Sequence, residues 1–199
     1  KGSWQETVEG IKKVVPTPIY VTTNTTLNRY NAEGFLETLN FLRDLGLGAF
    51  GCNSLIYSGK APSVAEEFAL DLDALKKLLP SIQAKASQLG MKFLWYMPTQ
   101  YCELDPASLG LGVKSCSAAR VNMCVGPNGE VYPCQSYFKS VGNILKDKWD
   151  KIWNNPLCVG IRKREYAPEK CEECPQLPVC GGGCPLELLE TPYLCAEVP

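Results

Sequence analysis

The chain has 199 residues, 45% hydrophobic and 21% charged, a globular composition with enough apolar content for one large domain or two small ones. Lys and Arg number 20 against 21 Asp and Glu, so the net charge of -1 supplies no general field for nucleic acid or an anionic membrane. No run approaches the roughly 18 continuous apolar residues of a membrane span, and the opening KGSWQETVEGIKK lacks the apolar core of a signal peptide. A cytoplasmic location is therefore expected, with no membrane and no nucleic acid as partner.

Trp4, Val8, Ile11 and Val15 recur at helical spacing and predict an amphipathic opening helix. PIYVTTNTT then reads as a strand rich in β-branched residues, introduced by Pro16 and Pro18. Asn31 is placed to N-cap the next helix, whose Phe35, Leu36, Leu39, Leu42 and Leu45 form an apolar stripe ending at Gly46. A second strand fits GAFGCNSLIYSG. Leu75, Leu78, Leu79, Ile82 and Leu89 mark another helix, kinked at Pro80 and closed by Gly90, before a third strand in KFLWYMPT. This alternation predicts an α/β fold with a parallel sheet. Three strands alone would leave both sheet edges open, so part of a barrel is expected upstream of Lys1, in keeping with the helical start and the missing initiator Met. Thr23, Asn24 and Asn53 fall toward the carboxyl ends of the first two strands, where such folds place ligands. The same residue types also terminate strands by bonding local backbone, and both readings stand.

The sequence has 11 cysteines and no histidine. An odd count without a secretion signal argues against a disulfide framework and for metal or catalysis. Only Cys52 lies in the first half, which divides the chain near residue 100 into segments 1–100 and 101–199. The late thiols run Cys116-x12-Gly129-x4-Cys134, then Cys171-x2-Cys174-x5-Cys180-x3-Cys184, and finally Cys195. Thiolates select zinc, copper(I) or iron–sulfur clusters, and the absence of His leaves only all-cysteine sites. PNGEVYPC is a hairpin signal that carries Cys134 back toward Cys116. Pro175, Pro178 and Pro185 stiffen the last segment, and Gly181 to Gly183 let its backbone curl around an inorganic core. So few apolar residues lie there that folding is expected to depend on metal. Spacing alone leaves two zinc sites and iron–sulfur clusters equally open. Cys52, Cys124 and Cys158 are expected as buried thiols, Trp95, Tyr96 and Tyr101 as core, and IRKRE around Arg162 as a solvated helix face.

The words around the cysteines carry more. KSCSAARVNMCVGPNGEVYPCQSYFKSVGNI followed by CEECPQLPVCGGGCP resembles the SPASM domain of radical S-adenosylmethionine (SAM) enzymes, whose pattern is C-x9–15-G-x4-C, C-x2-C-x5-C-x3-C, then C. Cys116, Cys134, Cys171, Cys174, Cys180, Cys184 and Cys195 match it. GNILKDKWDKIWNNP resembles the helix the family carries between its two cysteine groups, and TTNTTLNRYN, CNSLIYSGK and TPIY to MPTQYCE resemble later strands of the radical SAM partial barrel. The resemblance implies part of a (β/α) partial TIM barrel over 1–100 and, over 101–199, a small cysteine-rich SPASM domain with a β-hairpin and helices.

It further implies two auxiliary [4Fe–4S] clusters. As in the anaerobic sulfatase-maturating enzymes, ligands would interleave. One cluster takes Cys116, Cys134 and Cys184, with Cys102, an open iron or Cys124 in fourth place, and the other takes Cys171, Cys174, Cys180 and Cys195. The intact enzyme would be a radical SAM oxidoreductase or maturase that binds S-adenosylmethionine at a third [4Fe–4S] cluster, generates a deoxyadenosyl radical and abstracts hydrogen from a peptide or protein substrate, or from a tetrapyrrole side chain. The auxiliary clusters would accept or relay an electron, or ligate substrate at an open iron, with flavodoxin or ferredoxin as reductant. Thr23, Asn24 and Asn53 would line the SAM pocket. The C-x3-C-x2-C motif of the radical-generating cluster does not occur in this sequence, so the chain alone is expected to be inactive. A non-catalytic iron–sulfur carrier or scaffold and a zinc-stabilised interaction module are the alternatives.

Overall fold

The computed structural model describes residues 2–190, with Glu190 described in its backbone only. In chain order the elements are α1 (Ser3–Val14), β1 (Thr23–Thr26), α2 (Phe35–Asp44), β2 (Ala49–Asn53), α3 (Ala61–Phe68), α4 (Leu72–Gln88), β3 (Lys92–Trp95), β4 (Cys124–Val125), β5 (Glu130–Tyr132), β6 (Gly142–Asn143), α5 (Trp149–Trp153), α6 (Pro156–Lys163), a 3-10 turn (Glu169–Cys171), α7 (Leu177–Cys180) and α8 (Pro185–Glu190). They form two compact units, one of residues 2–55, 67–97 and 106–112, the other of residues 56–66, 98–105 and 113–190.

In the first unit β1, β2 and β3 form a parallel sheet in that order, with Thr23 beside Phe50 and Cys52 beside Trp95. All five residues of β2 are buried, as a central parallel strand requires. Alternation sends Phe50, Cys52, Phe93 and Trp95 to one face, where Phe50 stacks on Phe93 at 5.0 Å and meets Phe35 of α2 at 6.2 Å. Leu39, Leu79 and Ile82 from α2 and α4 close that core. The opposite face carries Asn24, Thr26, Gly51 and Asn53. Both helices end in the same way. Gly46 and Gly90 take φ of +89° and +63°, and the N–H groups of Leu47 and Met91 donate back to Leu42 and Ala86. This Schellman closure needs a left-handed residue, which glycine provides, and it aims the chain into β2 and β3.

One local expectation is corrected, and two features that the sequence reading does not include are present. Asn31 caps no helix: its Oδ1 accepts from the Asn28 N–H and its Nδ2 donates to Thr26 O, fastening the loop after β1, while α2 starts at Gly34 without a side-chain cap. The cap that does form is Asp71, which accepts from the Ala74 N–H at 2.7 Å at the head of α4. Helix α3 is an eight-residue helix that sequence reading did not foresee: Ala61, Val64, Ala65 and Phe68 recur at helical spacing, but none of its residues is buried.

In the second unit β4, β5 and β6 form an antiparallel sheet. The turn at Gly126 to Gly129 closes with the Gly126 N–H donating to Glu130 O at 2.7 Å. GNILKDKWDKIWNNP is not one helix. Gly142 and Asn143 pair as β6, α5 follows, and Asn155 caps α6 by accepting from the Leu157 N–H, with Pro156 at the first helical position. Val131, Val141, Ile152, Ile161, Ala118, Ala119 and Cys158 form a buried apolar core between sheet and helices. This core lies outside the cysteine-rich last segment, the part expected to depend on metal. Arg162 is not solvated either: it donates to Ala119 O and Trp153 O, and its guanidinium lies 4.4 Å from the Trp153 ring centre.

Candidate metal centre

The cysteines of the second unit fall into two groups. In the first, Cys116 lies before the turn that leads into β4, Cys134 follows β5 and Cys184 precedes α8. Cys116 is within electrostatic reach of Cys134 and of Cys184. Each sulfur has backbone amides aimed at it: Ala118 N–H at Cys116, Ser136 and Tyr137 N–H at Cys134, Leu186 and Glu187 N–H at Cys184. Burial outweighs these donors and raises all three thiols, Cys184 to about 12. Such amides stabilise a thiolate once a metal has displaced its proton. Cys124, half-buried on β4, also acts on Cys134 across the hairpin.

The second group lines a cavity of about 320 Å³, with Cys102, Cys171, Cys174 and Cys180 all on its wall. The 3-10 turn and α7 present Cys171 and Cys180 from successive bends stiffened by Pro168, Pro175 and Pro178. Burial raises the Cys171 thiol, and among its neighbours Cys102 acts on it most strongly, ahead of Cys180 and Cys174. Cys180 accepts from the Tyr101 N–H at 3.4 Å. Among the described residues, no three His, Cys, Asp or Glu side chains meet at one ion-sized point. Cys195 lies outside the described residues.

Between the groups the chain turns on three glycines. Gly181, Gly182 and Gly183 take φ of +79°, +82° and +97°, and a Cβ on Gly181 or Gly182 would stand 3.1 Å from Ser115 Cβ or 2.9 Å from Ala167 Cβ. Only glycine accepts three such conformations in succession at that approach. They let Cys180 face the second group and Cys184 the first.

The other predicted residues lie in the first unit. Asn24 donates to Asn53 Oδ1 at 2.9 Å, and Asn53 donates to Thr26 Oγ1 and to Ser54 O. Thr23 does not join them: alternation along β1 puts it on the helix-covered face, where its Oγ1 is buried without a partner. Of the aromatics, Trp95 is fully buried while Tyr96 is exposed. Cys52 and Cys158 are fully buried.

Sequence reasoning missed two groups. Tyr101 binds the Lys114 backbone through its hydroxyl, accepting at 2.8 Å and donating at 3.2 Å, while its own N–H serves Cys180. Glu187, in α8 beside Cys184, is pushed up to about 7 by burial and by the Glu103 carboxylate. Neither has a periodic or motif signature.

Residues 116–175 match the family described as SPASM, an iron-sulfur cluster-binding domain. Over 198 residues the chain is 26% identical to the antilisterial bacteriocin subtilosin biosynthesis protein AlbA of Bacillus subtilis (strain 168), covering 92% of this chain and 40% of that protein. Over 194 residues it is 23% identical to the AdoMet-dependent heme synthase of Methanosarcina barkeri, covering 91% and 55%. Its fold resembles that of Streptococcus suis SuiB, solved bound to precursor peptide SuiA, with a TM-score of 0.68 and 18% identity over 94% of this chain and 45% of that one. The chain thus spans about half, or less, of the length of the proteins it matches. Residues 116–175 match the SPASM iron-sulfur cluster-binding family, and over nine-tenths of its length the chain is similar in sequence to AlbA and to the AdoMet-dependent heme synthase and in fold to SuiB.

Proposed function

We propose that this chain holds two auxiliary [4Fe–4S] clusters and, as part of a radical SAM enzyme, uses them to accept or relay an electron while a peptide or protein substrate is oxidatively modified. The observation that carries the reading is the division of the late cysteines into two groups, Cys116, Cys134 and Cys184 in one and Cys171, Cys174 and Cys180 in the other, with all-sulfur donor sets suited to iron–sulfur clusters. Such clusters, when bound, supply one-electron redox chemistry tuned by charge, solvent exposure and hydrogen bonds to their sulfurs. The protein's share is to hold thiolates at fixed positions and to point amides at them, as Ala118, Ser136, Tyr137, Leu186, Glu187 and Tyr101 do. A peptide substrate agrees with the precursor peptide bound by SuiB and the bacteriocin made with AlbA.

In the first unit the parallel β1–β3 sheet is read as part of a partial barrel, and its face bearing Asn24 and Asn53 as a wall of the SAM pocket. The radical-generating step would require cysteines that this sequence does not supply.

The test is anaerobic reconstitution with iron and sulfide. A brown protein with about eight iron and eight sulfide per chain is expected for two [4Fe–4S] clusters. A colourless protein carrying zinc and no sulfide would overturn the reading.

A further inference from the structure

We infer that Tyr101 is a positioning residue for both centres. Its N–H holds a ligand sulfur of one, its hydroxyl holds the segment that carries a ligand of the other, and one residue thereby fixes how the two lie relative to each other. The inference rests on the iron–sulfur reading above.

Cys116 enters the first group on residues 112–117, which belong to no helix or strand. No ladder or helix of its own fixes that segment, so its backbone needs other partners. Tyr101 acts as a ladder partner would. Its Oη accepts from the Lys114 N–H at 2.8 Å and donates to Lys114 O at 3.2 Å. Both backbone polar groups of a residue two positions before Cys116 are thus held by one phenol.

At its backbone end Tyr101 is fastened to the second group, where its N–H donates to Cys180 Sγ at 3.4 Å. Its neighbours follow the same run: Cys180 donates its S–H to Thr99 O at 3.5 Å, and Gln100 donates to Gly182 O at 3.4 Å. The S–H contact ends once a metal displaces the proton. The amide contact does not, because a thiolate is the stronger acceptor. The two attachments meet at Gly181, where a Cβ would stand 3.1 Å from Ser115 Cβ and 3.7 Å from Cys116 N. The residue after Cys180 therefore lies directly on the segment that the Tyr101 hydroxyl holds, and a shift of Lys114 moves Cys116 against it. Cluster potentials depend on hydrogen bonds to sulfur and on exposure, so a residue anchored on both sides acts on both centres without being a ligand of either.

The experiment compares three anaerobically reconstituted proteins. They are wild type, Tyr101→Phe, which keeps the ring and the N–H and removes only the hydroxyl, and Tyr30→Phe, a control whose hydroxyl bonds Glu67 in the first unit. Iron and sulfide are measured, with EPR spectra and midpoint potentials, hydrogen exchange at Lys114 and circular dichroism. Tyr101→Phe should keep about eight iron, because no thiol is lost. The spin–spin interaction between its two reduced clusters should change, at least one midpoint potential should shift, and the Lys114 amide should exchange at least about tenfold faster. Tyr30→Phe should match wild type throughout. Loss of iron from Tyr101→Phe with circular dichroism unchanged would support the same role, extended from placement to ligation. A second measurement needs no variant: in loaded wild type the Lys114 amide should be protected although it lies in no helix or strand. Wild-type spectra and potentials in Tyr101→Phe, the same changes in Tyr30→Phe, or an unprotected Lys114 amide in loaded wild type would each overturn the proposal. If wild type binds no iron and sulfide, the iron–sulfur reading itself fails.

Discussion

A buried thiol in this protein has one of two environments, and the donors around the sulfur tell them apart. Cys52 and Cys184 are both pushed up to about 12 by burial. Nothing acts on Cys52 except that burial, between β1 and β3 in the sheet. Two amides point at Cys184, so its site opposes the proton loss less than burial alone would, and its anion has partners waiting. The first thiol is core; the second is arranged to become a thiolate. A linkage prediction follows for Cys52. Its folded value lies above the ordinary 9.0, so its contribution to stability is whole below pH 9 and falls as pH rises toward 12, because only the unfolded chain ionises in that window. The slope is about 1.4 kcal/mol per pH unit. Denaturant unfolding of wild type and Cys52→Ala, near pH 8 and again near pH 10, should show the gap between them narrowing by roughly 1–2 kcal/mol at the higher pH. Parallel pH profiles would mean that Cys52 does not ionise on unfolding.

At the scale of elements, α6 shows how a charge run misleads. IRKRE reads as a solvated face because charge predicts exposure, yet Arg162 uses its fork to tie two carbonyls, Ala119 O from the turn after Cys116 and Trp153 O from α5, while stacking on Trp153. Arg164 extends the same service to Leu177 O and Pro178 O at the head of α7. Lysine has the charge without the fork. Arg162→Lys should therefore cost about 1–3 kcal/mol in thermal unfolding of the loaded protein, close to the cost of Arg162→Ala, since both leave a buried carbonyl short of a donor. Full stability in the Lys variant would show that charge alone is what the site needs. Legibility followed the same division. The β–α alternation could be read because Phe35, Leu39 and Leu42, and Leu75, Leu79 and Ile82, keep strict helical spacing, and the β4–β5 turn because Asn-Gly dictates it. The break between α5 and α6 and the loop role of Asn31 left no such trace, for each turns on which backbone groups an asparagine side chain bonds, while α3 carries Ala61, Val64, Ala65 and Phe68 at helical spacing over only 8 residues, too short a pattern to stand out. The seven-cysteine spacing was visible, but the place of Cys102 was not: nothing local relates residue 102 to residue 171.

On the iron–sulfur reading, the molecule as a whole divides its stabilisation between grease and sulfur. The first unit rests on the Phe35, Phe50 and Phe93 core under α2 and α4 and contains no thiol of either group. In the second, Val131, Val141, Ile152 and Ile161 each contribute about 1.5–3 kcal/mol by burial, enough to hold β4–β6 against α5 and α6. The run from Cys171 to Cys184 has no comparable core. Its buried residues are mainly the cysteines and the glycines between them, and the three left-handed glycines are costly to order because their unfolded freedom is large. Metal removal should therefore melt a part of the second unit and not the whole chain. Hydrogen exchange on the loaded protein and on the same protein stripped by an anaerobic chelator should show the amides of Cys174, Cys180 and Gly181 losing protection by at least about tenfold, which is about 1.4 kcal/mol of local stability. Amides of Phe50 and Cys52 in β2 and of Val131 in β5 should keep theirs. Equal loss at Val131 would mean that the apolar core of the second unit cannot stand without its clusters, and loss at Phe50 as well would mean that sulfur ligation stabilises the entire chain as one cooperative body.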